Sequence, residues 1–211
     1  MGKRAFDILV AGSALLLLSP LLLLIALAIK LDSPGPVFFR QERVGRHGVP
    51  FRIHKFRTMR HDPVGAGLPL TVGADARITR SGRFLRHAKL DELAQLIDVL
   101  QGTMSLVGPR PEVPRYVALY PAGLREAALS VRPGITDPVS LEHADESELL
   151  ARATDPEREY VEVIMPRKVR AAVAYARRAT LWTDLVVIAR TLRLLAGRAR
   201  PGAGRASGGS A

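Results

Sequence analysis

Two adjacent carboxylates, Asp91 and Glu92, are the residues of this chain best placed to do chemistry. They lie at the start of a segment whose apolar residues recur at intervals of 3, 4 and 3, as in an α-helix: Leu90, Leu93, Ile97 and Leu100. Unpaired N–H groups at a helix start stabilise a carboxylate and bind phosphate oxygens. An ionised Asp91 is therefore a candidate nucleophile, and the alternative is that it only caps the helix.

Cations surround this pair in the sequence. Arg86 and Lys89 precede the helix, and Arg110 follows it in a Gly-Pro-Arg-Pro loop, whose rigid backbone directs a guanidinium with little loss of entropy. Two carboxylates among fixed cations indicate phosphoryl transfer. Such a site needs a divalent cation to offset the repulsion between carboxylate and substrate phosphates, and we expect Asp91 and Glu92 to hold Mg²⁺.

The composition limits the classes of partner. The chain has 211 residues, a net charge of +11 and no cysteine, so a disulfide framework and a thiolate metal site are excluded. The positive charge suits anionic lipids, phosphorylated substrates or nucleic acid. Because the arginines recur beside Gly, Pro and Thr in loops rather than along one helix face, phosphate binding is favoured and no nucleic-acid partner is expected.

An uncharged run from Ile8 to Ile29 is long enough to cross a bilayer. Ser19-Pro20 interrupts it, and the sequence predicts a break there because proline removes a backbone donor and clashes with an earlier carbonyl. Both ends of the run are basic, which favours the cytoplasmic side for each and hence a re-entrant hairpin; the flanking residues are Lys3, Arg4 and Lys30. The alternatives are a straight crossing and, with less support, a cleaved signal peptide.

A β-hairpin and a loop are predicted after this run. Turn residues at 45–48 separate two apolar stretches, 37–39 and 49–53, which reads as two short strands around a turn. Residues 60–82 are rich in Gly, Pro, Asp and Arg and predict a loop.

Helices are predicted in the C-terminal half. The stretch 113–129 predicts a helix with a breaker at Pro121, and Asp155-Pro156 predicts the start of another. The apolar stripe between 182 and 195 predicts an amphipathic helix, which either packs in the core or lies on a membrane.

The expected fold class is α/β: a small mixed catalytic domain, with short strands and amphipathic interfacial helices, on an N-terminal re-entrant membrane helix-break-helix. Residues 1–31 form the membrane hairpin and 32–196 the catalytic domain, since this length suits one compact unit. Residues 197–211 predict a disordered tail, because their Gly, Ala, Arg and Ser composition buries too little apolar area.

Four ordered motifs resemble those of the bacterial sugar transferase family, the monotopic phosphoglycosyl transferases that begin lipid-linked glycan assembly. They are KFRTM at 55–59, LDEL with QL at 90–96, MSLVGPRPE at 104–112 and VRPGIT at 131–136. The resemblance extends from the N-terminal RAFD sequence at 4–7 to about Thr136, and more loosely to the C-terminal helix.

The resemblance implies a ping-pong reaction through a covalent intermediate. In it, Asp91 attacks the β-phosphorus of a UDP-sugar, and UMP leaves. Polyprenol (undecaprenyl) phosphate then displaces the phosphosugar from the carboxylate and gives a polyprenyl diphosphosugar. Glu92, the second member of the pair, either holds Mg²⁺ or orients the acceptor phosphate.

The resemblance also assigns the cations. Arg86 and Arg110 match positions that contact phosphate oxygens, whereas Lys55 and Arg132 either do the same or form structural pairs with buried acids. One departure concerns residues 137–143, which replace the Gly-Trp-Ala-Gln-Val-Asn-Gly-Arg run of many members. The sugar of the donor is therefore left open.

The implied setting is the bacterial inner (plasma) membrane, with the Ser19-Pro20 hairpin among inner-leaflet lipids and the catalytic domain on the cytoplasmic face. The reaction is the first membrane step of exopolysaccharide, capsule, O-antigen or glycoprotein synthesis, and homo-oligomerisation is left open. The alternatives are a non-catalytic membrane adaptor, a membrane-tethered nucleic-acid binder and a nucleotide-sugar hydrolase. The intact Asp91, Glu92 and Arg110 argue against the adaptor.

Overall fold

A computed structural model describes residues 2–60, 75–137 and 146–198. Within these ranges, short strands form two two-stranded sheets among many helices. The strands are β1 (Phe38–Val44), β2 (Pro50–Phe56), β3 (Ser105–Val107) and β4 (Gly134–Thr136). The helices are α1 (Gly2–Asp32), α2 (Arg80–His87), α3 (Leu96–Gln101), α4 (Pro114–Val117), α5 (Ala122–Ala128), α6 (Glu146–Arg152), α7 (Pro156–Glu159), α8 (Met165–Arg178) and α9 (Leu181–Arg198). The 3₁₀ turns are Arg46–Gly48 and Leu90–Gln95, and a π-helical turn spans Tyr160–Ile164.

The apolar N-terminal run forms α1, which continues without interruption through Ser19 and Pro20. The helix-break-helix is therefore not confirmed. Pro20 has no N–H for the carbonyl of Leu16, and the Ser19 hydroxyl donates to that oxygen at 2.8 Å instead. Such a local substitute lets a membrane helix keep its course past a proline. Within the described residues, α1 is the one helix long and apolar enough to cross a membrane.

Both ends of α1 are bonded to the rest of the chain. Near its start, Asp7 is buried and accepts a hydrogen bond from Ser105 Oγ at 2.8 Å, which joins α1 to β3. At its end, the Arg57 guanidinium donates to three carbonyls between residues 29 and 34. These bonds hold the end of α1 and the turn that follows it against the residue after β2.

Strands β3 and β4 are parallel and bring the MSLVGPRPE and VRPGIT motifs together. Gly108 N donates to Thr136 O at 3.1 Å, and Gly134 N donates to Pro109 O at 3.0 Å. A Cβ on Gly134 would lie only 2.0 Å from Gly108 N, so this approach requires glycine. The two motifs thereby fix the loop that carries Arg110.

Among the described residues, the apolar core consists of three clusters. The first packs α1, β2, α3 and β3 against α8 and α9, and its fully buried members include Ala11, Val99, Met104 and Val107. The second joins α4 to α8 and includes Tyr116, Leu150, Tyr160 and Val169. The third packs the end of α1 on β2 and α2, with Ile29, Phe56 and Leu85. Because α1 contributes residues to the first and third clusters, it is packed into the same core as the strands and helices around it.

Several predicted elements are confirmed. β1 and β2 form the antiparallel hairpin around residues 46–48. Gly102, with φ of 87°, ends α3 in the left-handed conformation that glycine adopts readily. The stretch 113–129 divides into α4 and α5 before Pro121 and after it. Asp155 caps α7 as expected, since its carboxylate accepts from two amides of the first turn.

Other elements differ from the expectation. α2 begins inside the predicted loop 60–82, because Thr79 Oγ1 accepts from Gly82 N at 3.0 Å and caps it; residues 61–74 lie outside the described part. Trp182 of α9 is 73% exposed whereas Val187 is 7% exposed, so only part of the C-terminal stripe packs in the core. α9 also continues to Arg198, past the predicted boundary at 196, and the rest of the predicted tail lies outside the described residues.

Candidate active site

Asp91 and Glu92 lie in the first turn of the 3₁₀ segment that leads into α3. Lys89 precedes this segment with a left-handed φ of 57°, and no side chain caps the segment. Asp91 is therefore not the helix cap. This segment packs on β2 and α2, and the Glu92 carboxylate contacts β2 and the loop that follows β3.

Both oxygens of Glu92 accept hydrogen bonds from cations. Lys55 Nζ lies 3.0 Å from Oε1, Arg110 Nη1 lies 3.2 Å from Oε2, and Arg110 Nη2 donates to Oε1. Burial by itself would raise the pKa of Glu92, but the charges of Arg110 and Lys55 outweigh it and hold the pKa well below its usual range. Glu92 is thus an ionised anchor for two cations.

Asp91 has the opposite environment. Its Oδ1 is buried and accepts no hydrogen bond within the described part of the chain. Burial raises the pKa of Asp91 and the adjacent Glu92 raises it further, while Lys55, Arg86 and Lys89 act against them. A poorly solvated carboxylate oxygen among cations is suited to attack a phosphorus or to bind a metal ion.

The two cations on Glu92 come from different elements. Lys55 lies on β2, where burial lowers its pKa and the charge of Glu92 opposes that shift. Arg110 lies in the loop after β3, and the charge of Glu92 raises its pKa. The Arg110 side chain is 40% exposed and that of Lys55 is 18% exposed, so Arg110 is the more accessible of the two to a substrate.

Arg86 joins the site from α2. Its Nε donates to Thr58 Oγ1 at 2.9 Å, and burial lowers its pKa while the charge of Asp91 opposes that shift. α2 packs closely on the backbone at Thr58, as shown by the 2.1 Å that would separate a Cβ on Gly82 from Thr58 O. The structure thus brings together Asp91, Glu92, Lys55, Arg86 and Arg110, all of which the sequence predicted as site residues.

Arg132 lies elsewhere. Its Nε donates to Gly102 O at 2.8 Å, at the end of α3 that lies away from Asp91 and Glu92. Burial lowers its pKa, and the charges that act on it come from Arg4, Arg46 and Asp7 rather than from the carboxylate pair. The structure therefore gives Arg132 a backbone contact that supports the fold, and does not bring it to the cations around Asp91 and Glu92.

Two further residues adjoin the site and were missed by the sequence reasoning. Arg43 of β1 donates to Pro111 O at 3.2 Å, and Glu112 follows the same loop. The signal for Glu112 was its place at the end of MSLVGPRPE. There was no such signal for Arg43 in the sequence, because an arginine on a predicted strand is usually just a solvent-exposed residue.

The residues present fit a Mg²⁺ ion through Asp91 better than through Glu92. In the described ranges, no three Asp, Glu, His or Cys residues cluster as a protein-only metal site would require. Mg²⁺, however, is commonly held by one or two carboxylates together with substrate phosphates. Asp91 Oδ1 is unpartnered, whereas both oxygens of Glu92 already accept from Lys55 and Arg110.

The chain is similar in sequence to known proteins. A sequence model described as bacterial sugar transferase matches residues 1–198. The chain is 42% identical over 192 residues to a UDP-glucose:undecaprenyl-phosphate glucose-1-phosphate transferase of Caulobacter vibrioides. That alignment covers 90% of this chain and 68% of the relative.

Two other relatives are longer. The UDP-N-acetylgalactosamine-undecaprenyl-phosphate N-acetylgalactosaminephosphotransferase of Aeromonas hydrophila is 36% identical, over 92% of this chain and 43% of its own length. A UDP-glucose:undecaprenyl-phosphate glucose-1-phosphate transferase of Escherichia coli K12 is 38% identical, over 88% of this chain and 38% of its own length. The chain thus spans less than half of these two proteins.

Proposed function

Because this chain belongs to the bacterial sugar transferase family, we propose that it is an enzyme that transfers a sugar 1-phosphate from a UDP-sugar to polyprenol phosphate and releases UMP. The similar proteins are named for UDP-glucose or UDP-N-acetylgalactosamine as donor and for undecaprenyl phosphate as acceptor. Since these names include two sugars, the proposal leaves the sugar of the donor open.

The observation that carries this proposal is the buried, unpartnered Oδ1 of Asp91 beside the cations Lys55, Arg86 and Lys89. In the first half-reaction this oxygen forms a bond to the β-phosphorus, and the bond from that phosphorus to UMP breaks with its electron pair on UMP. In the second, a phosphate oxygen of the polyprenol attacks the same phosphorus and the carboxylate leaves. Each half exchanges one phosphoryl linkage for another, so the protein supplies alignment and charge neutralisation.

The cations divide this task. Arg110 is 40% exposed and fixed on Glu92, so it can meet phosphate oxygens without first becoming ordered. Arg86, held by Thr58, neutralises charge on the Asp91 side. A Mg²⁺ ion bound to Asp91 and the substrate phosphates would supply further neutralisation of the developing charge.

The membrane part of the proposal is that α1 enters and leaves the bilayer on the same, cytoplasmic face. Lys3 near its start pairs with Asp184 of α9, and Asp32 at its end accepts from Ser81 of α2, so both ends are bonded to one domain. The exposed leucines of α1 include several in its middle: Leu16, Leu17, Leu23 and Leu24. A helix held at both ends, basic at both ends and apolar at its middle suits a re-entrant path through inner-leaflet lipids, and this path requires α1 to bend in the membrane at Ser19-Pro20.

The test is UMP release by the purified chain from a panel of UDP-sugars, with and without polyprenol phosphate and Mg²⁺. In a single turnover without acceptor, we expect about one UMP per protein and a phosphosugar on Asp91, detected by intact mass. Asp91→Asn should abolish both signals. Asp155→Asn is the matched control, because asparagine also caps a helix, and it should behave as wild type.

Each other outcome selects an alternative. Continuous UMP release without polyprenol phosphate would identify a nucleotide-sugar hydrolase, and no release from any donor would favour the non-catalytic adaptor. Wild-type turnover by Asp91→Asn would remove the covalent role of Asp91 from the proposal.

A further inference from the structure

The Glu112 carboxylate joins three segments immediately after Arg110. Its Oε1 accepts from Val113 N at 2.8 Å and lies 3.5 Å from Arg43 Nη1, and its Oε2 accepts from the hydroxyl of Tyr160. The side chains of Arg43 and Glu112 are only 19% and 15% exposed. The loop that carries Arg110 is thus tied to β1 on one side and to the π-helical turn on the other.

Backbone contacts of β1 reinforce this tie. Arg43 Nη1 donates to Pro111 O at 3.2 Å, and Val44 N donates to Glu112 O at 2.9 Å. The carbonyls of the two residues that follow Arg110 therefore each accept from β1. Because Arg110 has a proline on either side, little backbone freedom remains, and the direction of its guanidinium depends on where this segment is held.

The charges alternate across the region. Arg43 pairs with Glu112 and Arg110 pairs with Glu92, although Arg43 is close enough to feel both of the latter charges. If Glu112 moved away, the positive charge of Arg43 would no longer be neutralised. Arg43 would then repel Arg110 more strongly and would attract the Glu92 carboxylate that now pairs with Arg110. Holding Glu112 on Arg43 therefore keeps Arg110 on Glu92.

We propose that Tyr160 is a positioning residue for the candidate active site, acting through Glu112 and Arg43 on Arg110. Its hydroxyl fixes the rotamer of Glu112. Its ring is itself fixed, since Tyr160 is 2% exposed and packs on Tyr116 with ring centroids 4.8 Å apart. The π-helical turn that begins at Tyr160 widens the helix locally, as such turns often do at functional sites. The catalytic consequence rests on the function proposed above; the positioning itself does not.

The chain offers a matched pair of variants. Tyr160→Phe removes the hydroxyl that holds Glu112. Tyr116→Phe removes a second hydroxyl from the same cluster, and that hydroxyl is buried without a hydrogen-bond partner in the described structure. Both variants leave a phenylalanine ring in a buried site, so a difference between them reports the Tyr160–Glu112 bond rather than packing.

The first readout needs no activity. Hydrogen exchange of the full chain without substrate should be faster by about tenfold at the amides of Arg110, Glu112 and Val113 in Tyr160→Phe and in Glu112→Gln. It should be unchanged there in Tyr116→Phe. Unchanged exchange in Tyr160→Phe would overturn the proposal whether or not the chain is a transferase.

The second readout is kinetic. Tyr160→Phe should lower kcat/KM for the UDP-sugar about fivefold to tenfold, because a misdirected guanidinium binds phosphate less well, while Tyr116→Phe should match wild type. In an Arg110→Lys background, Tyr160→Phe should lower kcat/KM almost no further, since Tyr160 acts by directing the Arg110 guanidinium and that group is then absent. Equal losses with and without the Arg110 guanidinium would show a merely structural role and overturn the proposal. If the wild type releases no UMP, the proposed function fails and the exchange result still decides the positioning.

Discussion

Asp91 and Glu92 are adjacent in the chain, yet their carboxylates have opposite surroundings. Both Glu92 oxygens accept from Lys55 and Arg110, whereas Asp91 Oδ1 is buried and accepts from no group in the described structure. The pKa of Glu92 is accordingly held well below its usual range, and burial raises that of Asp91. One carboxylate anchors cations and the other keeps an oxygen available, which is a division of roles by environment.

The raised pKa of Asp91 predicts that its ionised form weakens folding. The native state binds this proton more tightly than the unfolded state does, so stability falls as pH rises from the ordinary value of 3.8 through the raised pKa. Asp91→Asn should therefore stabilise the chain at pH 7 by roughly 1 kcal/mol while abolishing transfer. The gain, measured by denaturant unfolding in detergent, should vanish below pH 3.8. A loss of stability at pH 7 would contradict this assignment.

Removing the charge of Glu92 should change stability in the opposite direction, because its pKa is lowered. Its lowered pKa means that it contributes stability above the unfolded value of 4.5, and that this contribution is lost as pH falls through the folded pKa. Glu92→Gln leaves Lys55 and Arg110 facing each other and should cost about 1–3 kcal/mol at pH 7, with a smaller difference in acid. The control is Glu162→Gln, whose pair with Arg158 is exposed and should matter by less than about 0.5 kcal/mol.

The sequence predicted which residues lie together around Asp91 and Glu92 better than it predicted their contacts. Apolar spacing located the segment of Asp91 and Glu92, and the rigid loop identified Arg110, because both signals are local. That Glu92 would hold Lys55, 37 residues away, depends on how β2 packs, which no local pattern encodes. Arg132 shows the reverse case, since its motif is shared with the family but its contact is to a backbone carbonyl far from the dyad.

In the fold as well, local sequence patterns predicted individual elements but not the contacts between distant residues. The hairpin, the stop at Gly102 and the cap at Asp155 follow from turn and cap chemistry that a few neighbouring residues determine. Helix α2 was missed because its sequence is mostly polar and has few apolar residues to reveal a period. Its position depends instead on a close contact between Gly82 and Thr58, which only the folded chain reveals.

That contact gives a third prediction. Gly82→Ala would place a Cβ 2.1 Å from Thr58 O, so α2 must move and carry Arg86 with it. We expect a loss of about 2 kcal/mol in stability and a higher KM for the UDP-sugar. Gly123→Ala, in α5, is the control: its Cβ meets nothing within 4 Å, and alanine favours a helix, so stability should be unchanged or higher by up to about 1 kcal/mol. Similar losses in both variants would rule out the close packing as the cause.

The last prediction concerns the hydroxyl of Ser19, which supplies the hydrogen bond that Pro20 denies to Leu16 O. Replacing both residues by leucine restores a regular apolar helix and should favour a straight crossing over a re-entrant path. The chain has no cysteine, so single cysteines at positions 2 and 33 can report the side on which each end of α1 lies. In the otherwise unchanged sequence, we expect an impermeant thiol reagent to label both from the cytoplasmic face.

With leucine at both positions, the two cysteines should be labelled from opposite faces, and UMP release should fall at least about tenfold. The reason is that a helix that crosses the bilayer cannot keep both Lys3 on Asp184 and Asp32 on Ser81, so one of the two bonded ends must separate from the domain. Ser19→Ala is the control: it removes only the substitute hydrogen bond and keeps Pro20, so labelling should remain on one face. Labelling of the unsubstituted pair from opposite faces would contradict the re-entrant path, and the bonds at both ends of α1 could then not persist together in a membrane.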